Sequence, residues 1–336
     1  MTRPELMRFD AAINPYGCSP AVVDALVAAA HERAFRHYGD VDARALREGL
    51  ARHHHLHPDN FVVYNGSGEA HVWQCVARLL IARGVFICPY PSYERFVEVG
   101  RRCARSVVEV PLVPGEWSLS VDEFIAAART NGATVAMISS PNNPTGNCLL
   151  DEVSLTTLLD ALPECTFLID EAYAEYTSAS FAGLVQSRRN LIVLKTFSKA
   201  YGLAGLRVGY LVAHPDVAAA ARMMQIPWSV DSLALTAAEA ALGDQAYLRE
   251  VIARIRADVG HFQAGLGRLT QLRTYRADAN FVMAELVGTT WEALGPRLEG
   301  RGIVVRRRAD MPERIRMTCM TPAANEVLLQ ALAAER

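Results

Sequence analysis

The chain has 336 residues, 51% of them hydrophobic and 21% charged, with a formal net charge of −2. That balance excludes a disordered chain and gives no electrostatic reason to expect nucleic acid as a partner. The seven cysteines form no C-x-x-C pair, the N-terminus has no apolar signal core, and no apolar run reaches the roughly 18–20 residues of a bilayer span, so a cytoplasmic protein with free thiols is expected.

Along the chain, a charged amphipathic helix is predicted over residues 42–52. It runs into His53-His54-His55-Leu56-His57, which has no second ligand group at obvious spacing and reads as surface polar sequence rather than a metal site. Short apolar runs follow at 61–65, 85–88, 106–110, 135–139, 167–170, 191–196 and 208–212. Helical patterns separate most of them, at 69–83, 93–102, 121–130 and 151–162. Such alternation predicts an α/β fold with a largely parallel sheet, and these sheets bind ligands at the carboxyl ends of their strands. Gly66-Ser67, Asn142-Asn143, Asp170 and Ser198-Lys199 all fall there. From about residue 227 the pattern changes to a long helical tract, 233–269, and strand-like runs at 281–286, 303–306 and 315–318. We therefore expect an N-terminal segment, 1–35, packed with a smaller α+β domain, 227–336, and a larger domain, 36–226, between them. The run Arg306-Arg307-Arg308 fits a solvated edge or an anion site.

Three motifs carry chemistry. In Lys195-Thr-Phe-Ser-Lys-Ala-Tyr-Gly-Leu-Ala-Gly-Leu-Arg207, Lys199 stands beside the Ser198 hydroxyl and eight residues before Arg207. A lysine amine attacks carbonyls once its site lowers its pKa, and an aldehyde cofactor traps it as a Schiff base. The neighbouring hydroxyl and guanidinium suit a phosphate. Ser140-Pro-Asn-Asn-Pro-Thr-Gly146 is a rigid turn with amide donors, which alone could be any surface turn. Asp170-Glu-Ala-Tyr173 puts a carboxylate at the end of an apolar strand. It would serve a protonated pyridine nitrogen or, standing alone, a helix N-cap.

In this order and at these separations, the motifs resemble the fold type I pyridoxal-phosphate enzymes, and within them the histidinol-phosphate aminotransferase and threonine-phosphate decarboxylase group. The resemblance runs from Ile13-Asn-Pro-Tyr-Gly17 to Arg314-Ile-Arg-Met-Thr318. It implies a large domain with a mostly parallel seven-stranded sheet, a smaller α+β domain and pyridoxal 5'-phosphate as cofactor. It implies that Lys199 carries the Schiff base and moves the proton, and that Asp170 pairs with the pyridinium nitrogen. Tyr173 and Asn143 would bond the phenolate oxygen, and Tyr93 would stack on the ring. Gly66, Ser67, Thr196, Ser198 and Arg207 would cradle the phosphate. Tyr38 matches a tyrosine that reaches the phosphate across a dimer interface, which implies a homodimer. Arg316 would bind the substrate carboxylate and Arg306 a substrate phosphate, with Asn14 also at the substrate. Ala12 departs from the asparagine of both relatives, and Gly68 from the usual polar residue. The expected activity is transamination of a small amino acid or amino-alcohol phosphate with a keto-acid acceptor. Decarboxylation of a phosphorylated amino acid is the alternative, and a cofactor-binding regulator is the rival of another class.

Overall fold

The computed structural model describes residues 6–66, 84–177 and 179–333. The helix expected over 69–83, and with it Ser67 and Gly68, lies outside the described residues.

Seven strands make the larger sheet: β2 (Phe61–Asn65), β3 (Val85–Tyr90), β4 (Ser106–Pro111), β5 (Ala133–Ser139), β6 (Thr166–Asp170), β7 (Leu191–Thr196) and β8 (Val208–Ala213). Their order is β2-β8-β7-β6-β5-β3-β4. The pairs from β7 across to β4 are parallel, whereas β8 is antiparallel to both of its neighbours. Burial along β7 and β8 is continuous rather than alternating, as expected for strands covered on both faces. Side chains still sort by parity. Phe167, Ile169 and Val193 enter one core, while Leu168, Ile192 and Leu194 enter another, beneath Phe96 and Ala218. On this second face, helix α3 (Glu94–Cys103) lies so close that a Cβ on Gly100 would stand 2.6 Å from the Phe86 ring.

The second sheet has five strands in the order β1-β11-β12-β10-β9. Its members are β1 (Met7–Phe9), β9 (Leu272–Thr274), β10 (Phe281–Leu286), β11 (Ile303–Arg307) and β12 (Arg314–Thr318). β1 pairs in parallel with β11, Met7 opposite Ile303. β1 and β9, three residues each, were too short to show a period in the sequence. The single helical tract expected over 233–269 is two helices, Ser232–Gly243 and Gln245–Leu266. Asp244 separates them because its carboxylate caps the second helix, accepting the Tyr247 N–H at 3.1 Å.

The histidine cluster is not uniformly surface. His54, within helix α2 (Arg44–His54), is half-buried against Phe61 and Tyr210, with Nε2 2.9 Å from the Tyr210 hydroxyl. Burial first, and then the positive charge of Lys195, push its pKa down to about 3.

Candidate active site

Neighbouring parallel strands β5, β6 and β7 release Ser139, Asp170 and Thr196 at one edge. Asp170 is 6% exposed. Its oxygens accept from the Ala172 N–H at 3.1 Å and the Ser139 hydroxyl at 3.5 Å. Both donors are neutral, so burial dominates and raises its pKa to about 7, with Lys199 opposing. The bond from Ala172 is a local turn bond and not the helix N-cap considered for a lone aspartate, since the next helical element, a 3-10 turn, starts only at Ala174 with Tyr173 at its N-cap. It does not neutralise the charge.

A cleft of about 370 Å³ lies between this edge and the second sheet. Lys199, Asp170, Tyr173, Asn143, Tyr93, Arg306 and Arg316 all line it. Lys199 Nζ donates to the Ala11 carbonyl at 3.2 Å and stands 5.4 Å from the centre of the Tyr173 ring. Tyr173 is held edge-on to Phe281, centroids 5.1 Å apart. Arg306 and Arg316 are cross-strand partners on β11 and β12, so their side chains leave the same face. Arg316 is 7% exposed and rests 4.8 Å from the Phe281 ring. It donates to Asn143 Oδ1 at 2.8 Å and to the Asp10 carbonyl, and its Nε is buried without a partner. These contacts are neutral, and burial pushes its pKa down. Because Asn143 presents its oxygen to Arg316, its NH2 group is the end left for a bound molecule.

Beside the cleft, the Thr196 hydroxyl donates to Ser198 Oγ at 2.9 Å and accepts the Ser198 N–H at 3.0 Å. Arg207 adopts the left-handed conformation, φ 52°, and its carbonyl accepts the Gly66 N–H at 2.6 Å. Gly66, Thr196, Ser198 and Arg207 thus share one corner, and Ser67 lies outside the described residues.

Two expected residues sit elsewhere. Asn14 does not line the cleft. Its amide donates to the Gly17 and Ala200 carbonyls and accepts the Tyr16 N–H, so its side chain clamps backbone instead of reaching for substrate. Tyr38 is 84% exposed and packs only against Trp228 among the described ring contacts, 5.2 Å away. The arginine run divides: Arg308 lines the cleft, while Arg307 stacks on Trp291. Sequence reasoning passed over Glu94, although it directly follows Tyr93. It also passed over the Asp10 and Ala11 carbonyls, which any residue type would supply.

Behind the strand ends lies a buried charge cluster. Lys195 Nζ is 2.9 Å from both Glu171 Oε2 and Glu175 Oε1. Glu171 also accepts from the Ser180 hydroxyl and the Phe181 N–H, each at 2.6 Å.

Fold and site together define a class, the α/β transferases of fold type I. A family profile described as aminotransferase class I and II matches residues 4–332. The chain belongs to that family, and within it to the pyridoxal-phosphate aminotransferases of the histidinol-phosphate aminotransferase and threonine-phosphate decarboxylase group. It is 33% identical over 327 residues to the histidinol-phosphate aminotransferase of Anoxybacillus flavithermus, covering 95% of this chain and 85% of that one. The histidinol-phosphate aminotransferase of Sinorhizobium meliloti, solved in complex with pyridoxal-5'-phosphate, superposes with a TM-score of 0.87 at 26% identity, over 98% and 90% of the two chains. The L-threonine-O-3-phosphate decarboxylase of Porphyromonas gingivalis gives 0.82 at 25% identity, over 96% and 97%.

The residues present fit pyridoxal phosphate. Asp170 is a buried carboxylate with only neutral donors, which a protonated ring nitrogen would complement. The paired hydroxyls of Thr196 and Ser198, with Arg207 nearby in the chain, have the donor chemistry of a phosphate site.

Proposed function

We propose that this protein moves an amino group between a keto acid and a small amino substrate with an anionic group, an amino-alcohol phosphate such as histidinol phosphate. The observation that carries this is Arg316: a buried guanidinium without a carboxylate partner among the described residues, in the same cleft as Lys199 and Asp170. A buried charge of this kind calls for an anion from the ligand.

Pyridoxal phosphate, when bound, supplies the electron sink that lets a bond to the substrate's amino-bearing carbon break. In our reading Asp170 holds the proton on the ring nitrogen, and Tyr173 and Asn143 donate to the phenolic oxygen. Gly66, Thr196, Ser198 and Arg207, with Ser67, hold the phosphate, and Tyr93 covers the ring. Lys199 Nζ is both the covalent anchor and the base that takes and returns the proton. Arg316 turns the substrate so that the C–H bond, rather than a C–C bond, faces that base. Similarity to the threonine-phosphate decarboxylase supports a second reading. If Arg316 and Arg306 held a side-chain phosphate, a carboxylate would take the place of the C–H bond and leave as CO2.

We infer further that the chain works as a cytoplasmic homodimer. Tyr38, Phe35 (61% exposed), Ile226 (58%) and Trp228 (51%) form the apolar surface for a second copy. In the test, cofactor-loaded protein is given histidinol phosphate, phosphothreonine and a panel of amino acids, and both the carbonyl product and CO2 are measured. Carbonyl product from histidinol phosphate supports transamination, and CO2 from phosphothreonine supports the second reading. Lys199→Ala should abolish the cofactor's visible absorbance. Wild-type protein that shows no such absorbance with added cofactor would sink both readings.

A further inference from the structure

Among the described residues, five arginines line the cleft: Arg95, Arg306, Arg308, Arg314 and Arg316. Four of them already hold a carboxylate of this chain. Arg95 pairs with Glu98, Arg306 with Glu94, Arg308 with Asp310 and Arg314 with Glu285. Arg316 alone has only neutral acceptors among the described residues. The cleft therefore offers one uncompensated guanidinium, which matches one anionic group on the substrate.

A second anion has to displace a resident carboxylate, and Glu94 is the one placed for it. Glu94 and Arg306 both line the cleft, and their side chains are 35% and 42% exposed. Arg306 points from the same face of the second sheet as Arg316. Glu94 comes from the other wall, as the first residue of α3. The helix dipole accounts for an acid at that position, but not for its pairing across the cleft. At this exposure the pair is weak enough to open. An incoming carboxylate gains only what Glu94 gives up, and it then meets the displaced Glu94 as a like charge. A neutral tail, or one with an N–H donor such as an imidazole, leaves the pair intact.

We infer that Glu94 determines specificity at the distal end of the substrate: it neutralises Arg306 and so sets the cleft against a second anionic group. The inference rests on the reading that Arg316 takes the first one. The test uses cofactor-loaded protein and two simple probes, glutarate with two carboxylates and butyrate with one, titrated calorimetrically. Glu94→Gln should tighten glutarate roughly fivefold while butyrate stays within about twofold, the scale of one half-exposed ion pair. In an Arg306→Gln background the same change should have no effect on glutarate. With dicarboxylic amino substrates the gain should appear in KM rather than in kcat. Glutarate affinity that stays constant, or that moves in step with butyrate, would overturn the assignment. An enzyme inactive on every amino substrate would count against the proposed function alone, because the glutarate comparison still decides the role of Glu94.

Discussion

Burial outweighs the opposing Lys199 charge at Asp170 and pushes its pKa up to about 7, and this has a consequence for the cofactor-free protein. Its folded-state pKa, about 7, lies above the ordinary carboxylate value of 3.8. The folded state then holds a proton that the unfolded state has lost, so this contribution to stability is complete below the ordinary value and disappears as pH rises through about 7. Cofactor-free wild type should lose a few kcal/mol, in order of magnitude, relative to Asp170→Asn between those limits. Urea melts of both proteins across the range check this, and parallel curves would refute it. In the loaded protein a ring-nitrogen proton should remove the difference. That Asp170 and Lys199 meet in one cleft was legible in the sequence, because both fall at the carboxyl ends of neighbouring apolar strands. Asn14 was misread, since an asparagine beside a proline offers the same amide to a ligand or to backbone. The Ala11 carbonyl that receives Lys199 Nζ leaves no trace in residue type.

Among the elements, the turn after Lys199 shows how close packing positions reactive groups. Gly202 has φ +75°, and a Cβ there would sit 2.6 Å from the carbonyl carbon and oxygen of Gly17. Asn14 bonds to Ala200 from the same N-terminal segment. Gly202→Ala should therefore push that segment off the turn and cost roughly 2 kcal/mol or more. Thermal melting, together with faster proteolysis near residue 17, would show it. Unchanged melting and cleavage would mean that the contact relaxes freely. The long strands were legible because continuous apolar runs of five to seven residues, bounded by turns, have few alternatives. The break at Asp244 was not, because the helical period resumes one residue later and only the cap separates the two helices.

Across the whole molecule, stability and site share a foundation in the Lys195 cluster. Lys195 is 5% exposed, and burial alone would lower its pKa, yet Glu175 and Glu171 hold it well above the ordinary lysine value. Lys195→Met would leave two carboxylates buried without their cation, and should cost about 3–5 kcal/mol. A denaturation midpoint unchanged from wild type would contradict that. The α/β architecture was readable from alternation alone, whereas the participation of the N-terminus in the second sheet rested on three residues with no pattern of their own. That pairing bears on how the protein is made. Met7–Phe9 leave the ribosome long before Ile303–Val305, with which they pair. The Asp10 carbonyl then receives Arg316. A nascent chain that has reached Lys199 carries the lysine, aspartate and tyrosine together, yet lacks a finished pocket until Arg316, more than a hundred residues later, is added. Only when the Met7–Asp10 segment meets β11 and β12 does the arginine reach its seat, so a product terminated before them can hold the reactive lysine without the group that orients a substrate against it.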